Sequence, residues 1–409
     1  MAVETTPLRS LLRMPEVART LASSLLGRLP YTAIELLLIL RVRDLHGGFT
    51  EGGAVAGGFA LGLGLVAPLV GRLVDLRGQR LVLIPTALAC ALTLTAIALA
   101  PDATPLAVLV GLAALAGMTH PPISGATRAL WPDLVPPAQR HAIYSLESVG
   151  VEMTFMVGPV VLVGVVAAAT SPAVGLATCA ALLVAGTTAF ATSPPSLRWR
   201  PSSAARTLAG ALSNQAMLTL LAVVACMGAS FGAIEVATTA HAGEHGNAAL
   251  VGPLLGTWAL GSLLGGLASA RGPAPADPAR RLLALLAATA LADALVAAAP
   301  NPPVLALALL LAGGCIAPAF ATLYAMVADL ATEGTLTESY TWLTTGIAGG
   351  MAVGSAGGGS LVDAVSTHAA FAGAVAMVTL AALVAAAGAP RLRLAKAGDQ
   401  RSRPGAGED

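Results

Sequence analysis

Residues 71–80 read GRLVDLRGQR and lie between two long apolar runs. Arg72, Asp75, Arg77 and Arg80 cannot sit in hydrocarbon, where each charge costs about 2.5 kcal/mol or more. These residues therefore form a short turn at a membrane surface. Three arginines in so short a loop place that surface in the cytoplasm, because orientation follows the Lys/Arg excess of short loops. Gly71 removes a side chain where two helices can meet closely, and Gly78 permits a tight turn with φ > 0. Asp75 is placed to meet the positive N-terminal end of a neighbouring helix. Such a contact is worth roughly 0.3–1 kcal/mol and would form and break as helices rock.

The composition around this turn agrees with it. Of 409 residues 56% are hydrophobic, 11% are charged and 45 are Gly, and the mean hydropathy is +0.80, far too apolar for a soluble domain. Runs long enough to cross a ~30 Å hydrocarbon layer as helix can be read at 17–40, 52–71, 81–100, 105–128, 141–168, 171–192, 216–239, 248–270, 281–300, 303–327, 338–361 and 367–388. The first run is too long for a signal-peptide core and is expected to stay as a span. Gly, Pro and charge clusters such as RVRDLHGG, PDATP and RGPAPADPARR separate the runs.

The expected fold is an all-α polytopic membrane protein of 12 transmembrane helices in two pseudo-symmetric six-helix bundles. Residues 1–16 form a cytoplasmic tail, 17–192 the first bundle, 193–215 a cytoplasmic linker rich in Ser, Pro and Arg, 216–388 the second bundle, and 389–409 a second cytoplasmic tail. With the N-terminus inside, loop and tail Lys and Arg from Arg9 to Arg403 fall on the cytoplasmic side, leaving only Arg41 and Arg43 outside. Both termini are then cytoplasmic and the location is the cell (inner) membrane. The halves also repeat each other. Ala33-Ile34-Glu35 recurs as Ala233-Ile234-Glu235, and Tyr144, Gly150 and Gly158 recur as Tyr340, Gly346 and Gly354.

Cys90, Cys179, Cys226 and Cys315 fall singly in separate apolar runs and read as small packing residues. The sequence carries no metal-ligand cluster, nucleotide loop or Ser/His/Asp set, which argues against an enzyme and against direct ATP drive. No cofactor, nucleotide or nucleic acid is expected. The expected partners are the lipid bilayer, a small-molecule substrate and protons, and residue types define no oligomeric state.

The stretch 71–80 resembles the signature between the second and third spans of the major facilitator superfamily, Gly-x-x-x-Asp-Arg-x-Gly-Arg-Arg/Lys. Gly71, Asp75, Gly78 and Arg80 match it; Leu76 stands where the signature has arginine, Arg77 comes one place later, and Gln79 takes the ninth position. Gly158-Pro159 ends a stretch that resembles the fifth-span Gly-x-x-x-Gly-Pro signature of the drug/proton antiporter branch, with Thr154 at its first glycine. The resemblance implies alternating access. Two bundles rock about a central site while Asp75 and its neighbours stabilise one state. It is nearest to bacterial efflux members.

Independently of that resemblance, several polar residues lie inside the apolar runs. Arg28, Tyr31, Thr32 and Glu35 follow i, i+3, i+4, i+7 spacing, one polar stripe that does not face lipid. In the seventh run Phe231, Glu235, Thr238 and Thr239 form a related stripe. Intramembrane carboxylates are functional candidates by default, able to load and release protons as they meet water on alternate sides. Two readings stay open for Glu35, a proton carrier or a fixed ion pair with Arg28. For Glu235 the alternatives are a proton carrier or a structural hydrogen bond. Arg128 and Glu147 are expected to pair structurally, leaving Glu152 nearer mid-membrane as a proton or substrate candidate. His120 precedes Pro121-Pro122 and reads as a buried neutral histidine or a proton relay. Asp293 stands alone and ranks below the glutamates. Gly346, Gly350, Gly354 and Gly358 make a smooth face for close helix contact, and Thr335 to Glu338 reads as a capping box whose helix end could receive Asp75. The function expected is proton-coupled export of a small lipophilic compound. The alternatives are transport of a polar metabolite such as a sugar or organic acid, with Arg28 or Arg128 binding an anion, or a non-transporting membrane sensor.

Overall fold

A chain in hydrocarbon must close its own backbone hydrogen bonds, and long apolar runs do so as helices. The computed structural model describes residues 8–46, 49–200, 210–245, 250–332 and 334–402, and no strand occurs among them. A short α1 (Leu8–Arg13) precedes α2 (Pro15–Arg28) and α3 (Tyr31–His46), which together make the first column. Then come α4 (Phe49–Arg77), α5 (Gln79–Ala98), and the fourth column, α6 (Leu106–Met118) with α7 (Ile123–Leu134). The fifth is α8 (Pro137–Pro159) prolonged by a π-helical stretch, Val160–Ala167, and the sixth is α9 (Pro172–Ala191), followed by the short α10 (Pro194–Arg198). The second half repeats the plan with α11 (Gln215–Glu244), α12 (Val251–Arg271), α13 (Pro278–Ala297), a tenth column of α14 (Pro302–Gly313) and α15 (Ile316–Leu330), then α16 (Leu336–Ala364) and α17 (Thr367–Ser402). The last helix runs past 388, where the second tail was expected to begin. Residues 1–7, the middle of the connection expected at 193–215 (201–209) and the last residues of the chain lie outside the described part.

Nine of the described helices are long and apolar enough to cross a membrane. The other three expected spans miss for physical reasons. The first column breaks at Leu29-Pro30 into helices of 14 and 16 residues, because proline lacks an N–H and crowds the preceding turn. The ninth, α13, carries Arg280, Arg281 and Asp293, and α16 is diluted by its glycines.

The repeat is written into the packing. Gly150 on α8 meets Leu25 of α2, and Gly346 on α16 meets Leu221 of α11, each residue 196 positions from its counterpart. A Cβ on Gly117 would overlap the carbonyl of Phe59, and one on Gly313 would overlap that of Trp258. The fourth column breaks at 119–122 and the tenth at 314–315. Each half holds its own apolar core, around Leu37, Phe59 and Leu94 in one and Ile234, Leu309 and Phe371 in the other. A further cluster joins them, with Trp131 and Tyr144 against Met227, Tyr324 and Tyr340.

Candidate functional site

The two halves meet where α4 faces α16 and where α8 faces α12, two pairings that the repeat exchanges for one another. At the end of the molecule nearest the connection between halves, called here the linker end, Asp75 closes the first pairing. Its carboxylate accepts from the backbone N–H groups of Thr337 at 3.1 Å and Glu338 at 2.8 Å, the orphan donors of the first turn of α16. Thr335 makes no side-chain cap, and Glu338 turns away to accept from Ala211 N at 3.3 Å. The expected capping box is thus replaced by a cap supplied from the other half. Gly71 makes room for it: a Cβ there would sit 2.5 Å from Thr341 Oγ1. Gly78 turns the chain with φ of 94°, a region L side chains avoid. Among the described residues Arg80 makes no ion pair, and Asp75 accepts from α16 and not from Arg80.

The second pairing is held by a serine that residue types did not mark. Ser269 Oγ on α12 lies 3.1 Å from His141 Nε2 and 3.2 Å from Ser145 Oγ on α8, and accepts from Arg281 Nη2 at 2.9 Å. Nearby, Arg140 pairs with Asp329 at 3.6 Å across the halves. Farther from the linker end, Ser262 donates to Glu152 at 3.0 Å. One turn beyond, Phe155 and Met156 are 46% and 44% exposed, so the surfaces part there.

Between these levels lies a buried charged centre. Arg28 does not pair with Glu35. The break at Leu29-Pro30 interrupts the expected stripe, and the guanidinium of Arg28 turns to Glu147, with Nη2 2.9 Å from Oε1. Arg128 Nε reaches the same oxygen at 3.1 Å, and Trp131 Nε1 donates to Oε2 at 2.7 Å. Glu147 is wholly buried, so two cations share one carboxylate. Arg128 also stacks 3.7 Å over the ring of Tyr324. Around it the hydroxyls of Tyr144 and Tyr340 share a hydrogen bond at 2.7 Å, and each also lies near a backbone carbonyl of the preceding helix, Arg128 O at 3.4 Å and Tyr324 O at 2.9 Å, so that two hydroxyl protons serve three contacts. These bonds are repeat-equivalent, but the charges are not. At an offset of 196 the positions that answer Trp131 and Glu147 in the second half are Val327 and Leu343, and Arg28 is answered by Val224 at that offset or by Gly228 at 200.

The remaining candidates line this centre or stand apart from it. Tyr31 opens α3 and meets the rings of His120 at 5.6 Å and Phe155 at 6.0 Å. His120 is buried with Nε2 lacking a partner among the described residues. Glu35 lies half-buried one turn beyond Tyr31 on the same face. Phe231 packs against Trp258 at 5.3 Å and Phe320 at 6.2 Å, and Glu235 is half-buried one turn further along α11. Asp293, ranked low from the sequence, is buried and accepts from Ser230 at 3.1 Å, with Oδ1 lacking a partner among the described residues. Gly158 backs the break in the first column, where a Cβ would overlap Leu29 O, and Pro159 starts the π-helical stretch. Residue type alone did not single out Tyr324, Ser262 or Ser269. Extending the 196-residue repeat from Tyr144 and Tyr340 to Arg128 would have pointed to Tyr324.

No protein of curated function matches the sequence. Solved structures do. The human organic anion transporter MFSD10 (TETRAN) superposes with a TM-score of 0.73 at 18% identity, covering 93% of this chain and all of that one. A bacterial homologue of the iron transporter ferroportin, in an outward-facing state, gives 0.73 at 16% identity over 90% and 98% of the two chains. The E. coli fucose:proton symporter FucP gives 0.69 at 14%, over 92% and 98%. At these identities the likeness is one of fold. A family model described as Major Facilitator Superfamily matches residues 20–292 directly from sequence. Residues 71–80 lie at the junction of the second and third columns, where the expected ten-residue turn is reduced to Gly78 between the helical ends of α4 and α5. With that junction in place and two halves repeated around a polar centre, this chain belongs to the major facilitator superfamily of membrane transporters.

Proposed function

We propose that the protein is a proton-coupled secondary transporter that exports small, mainly apolar compounds by alternating access. It would lie in the cell (inner) membrane with the linker end and both termini in the cytoplasm. The observation that carries the coupling is a set of carboxylates in both halves, Glu35, Glu152, Glu235 and Asp293, none with an ion-pair partner among the described residues. An unpaired carboxylate inside a membrane is the group that trades a proton with whichever side its pocket faces. The orientation rests on Arg77, Arg80, Arg140 and Arg198 at the linker end. Asp75 then caps α16 in the state closed to the cytoplasm, and export needs that cap to break and reform. A proton symporter and an organic anion transporter share the fold, so it accommodates both proton coupling and acidic cargo.

The test is flux into or out of proteoliposomes under an imposed pH gradient. Export that follows the gradient, and stops following it in Glu35→Gln combined with Glu235→Gln, is the expected result. Movement that ignores the gradient, or coupling that survives both substitutions, removes the proposal. Asp75→Asn is expected to lose one of two charge-assisted bonds, about 1.5–3 kcal/mol. Spin labels at the linker ends of α4 and α16 should then report a population shifted toward the separated state; an unchanged distance distribution counts against the gating role.

A second reading, transport of a polar metabolite such as a sugar or organic acid, is favoured by one observation, the two arginines on one carboxylate. Competition by hydrophilic solutes rather than hydrophobic cations distinguishes it.

A further inference from the structure

The charge of the central cluster does not close. Arg28 and Arg128 contribute two positive charges, and Glu147 one negative charge. No second carboxylate joins them among the described residues: Glu152 is turned to Ser262, and Asp293 to Ser230. Arg128 recovers part of its lost hydration from the face of Tyr324. Among the described residues no ring lies against the Arg28 guanidinium and its Nε and Nη1 have no hydrogen-bond partner, although the residue is only 7% exposed. A buried, uncompensated cation costs several kcal/mol unless something anionic joins it. The second half carries no charge at either position that the repeat pairs with Arg28, Val224 at an offset of 196 or Gly228 at 200.

The surroundings say what kind of anion fits. Arg28 ends α2 at the broken turn, and Tyr31 begins α3 directly after it. Tyr31, Phe155 and Met156 form an apolar wall on the side away from the linker end, where the halves part. A guanidinium with free N–H groups recognises a planar carboxylate by paired hydrogen bonds, and the wall receives an organic body. In this state the Tyr144–Tyr340 contact and the Arg128–Tyr324 stack close the site on its linker side.

We propose that Arg28 is the seat for the negatively charged group of the cargo, an amphipathic organic monoanion that takes over from Glu147 when the linker end opens. This rests on the transporter reading above and narrows its substrate from lipophilic compounds in general to lipophilic acids. The cargo acid displaces Glu147 from Arg28 and leaves the Arg128–Glu147 pair in place, so the centre becomes neutral only when loaded. A neutral or cationic analogue leaves Arg28 uncompensated and binds without that gain.

The test uses the full chain in detergent or nanodiscs, so that binding is read without flux. Radiolabelled 2-naphthoate, its uncharged analogue 2-naphthamide, and chloride serve as probes. Naphthoate is expected to bind about ten-fold or more tighter than naphthamide, the size of one charge-assisted pair, and Arg28→Gln should erase that ratio. Arg28→Lys should keep part of it. Equal binding of the two naphthalenes by the unmodified protein overturns the proposal whether or not any variant folds. So does a ratio unchanged in Arg28→Gln. Chloride displacing naphthoate while naphthamide binds as well as naphthoate would assign the seat to an inorganic anion and also overturn it. Flux that ignores a pH gradient removes proton coupling and leaves the binding ratio standing, so the two failures are distinguishable.

Discussion

Glu147→Leu is expected to destabilise the protein by about 3–5 kcal/mol, the cost of leaving buried charge without its partner. Three donors converge on that one carboxylate, Arg28, Arg128 and Trp131, at 2.9, 3.1 and 2.7 Å. Leucine matches the repeat-equivalent Leu343 in size and polarity, so the loss comes from charge and not from packing. The informative control is Arg28→Met, which removes the uncompensated cation and leaves one arginine matched to one glutamate. It should cost far less than Glu147→Leu, and Glu147→Leu combined with Arg28→Met and Arg128→Met should recover most of the loss. Thermal unfolding of the purified variants, together with the yield of monodisperse protein, gives the order. If Arg28→Met proved as damaging as Glu147→Leu, the account of an excess positive charge would be wrong.

Gly354→Ala should cost about 2–3 kcal/mol, the range for overpacking a well-filled interface. The methyl group would overlap the carbonyl of Ala229 on α11, a backbone atom that cannot rotate away. The helices α11 and α16 would have to separate along a contact that also uses Gly350 against Ala225 and Gly228 against Ile347. Gly357, on the same helix, meets nothing within 4 Å, so Gly357→Ala should be neutral or stabilising by up to about 1 kcal/mol through helix propensity alone. Equal thermal midpoints for the two variants would show that the α11–α16 contact is not limiting.

Much of the architecture was legible because hydrocarbon imposes a narrow rule. Apolar runs must be helices, and a stretch as polar as 71–80 can sit only where spans end, although all of it but Gly78 stays helical. The repeat was legible in Tyr144 and Tyr340, but that the two hydroxyls touch was not, because pseudo-symmetry says that residues are equivalent and not that they lie near the axis relating them. The stripe from Arg28 to Glu35 failed for a local reason. Its spacing assumed an unbroken helix, and Pro30 withdrew the hydrogen bond that would have kept one. Once the helix breaks, periodicity no longer says which carboxylate an arginine meets.

By itself the sequence determined that the chain spans a membrane many times, that its halves are copies, and that residues 71–80 join two spans. These follow from solvation, which acts on each segment separately. Only the tertiary structure decided that Asp75 caps α16 across the halves, that Arg28 and Arg128 share Glu147, and that Ser262 and Ser269 join α12 to α8. Those pairings join helices far apart in the chain, and their partners are chosen by how two bundles face each other, which no single helix encodes.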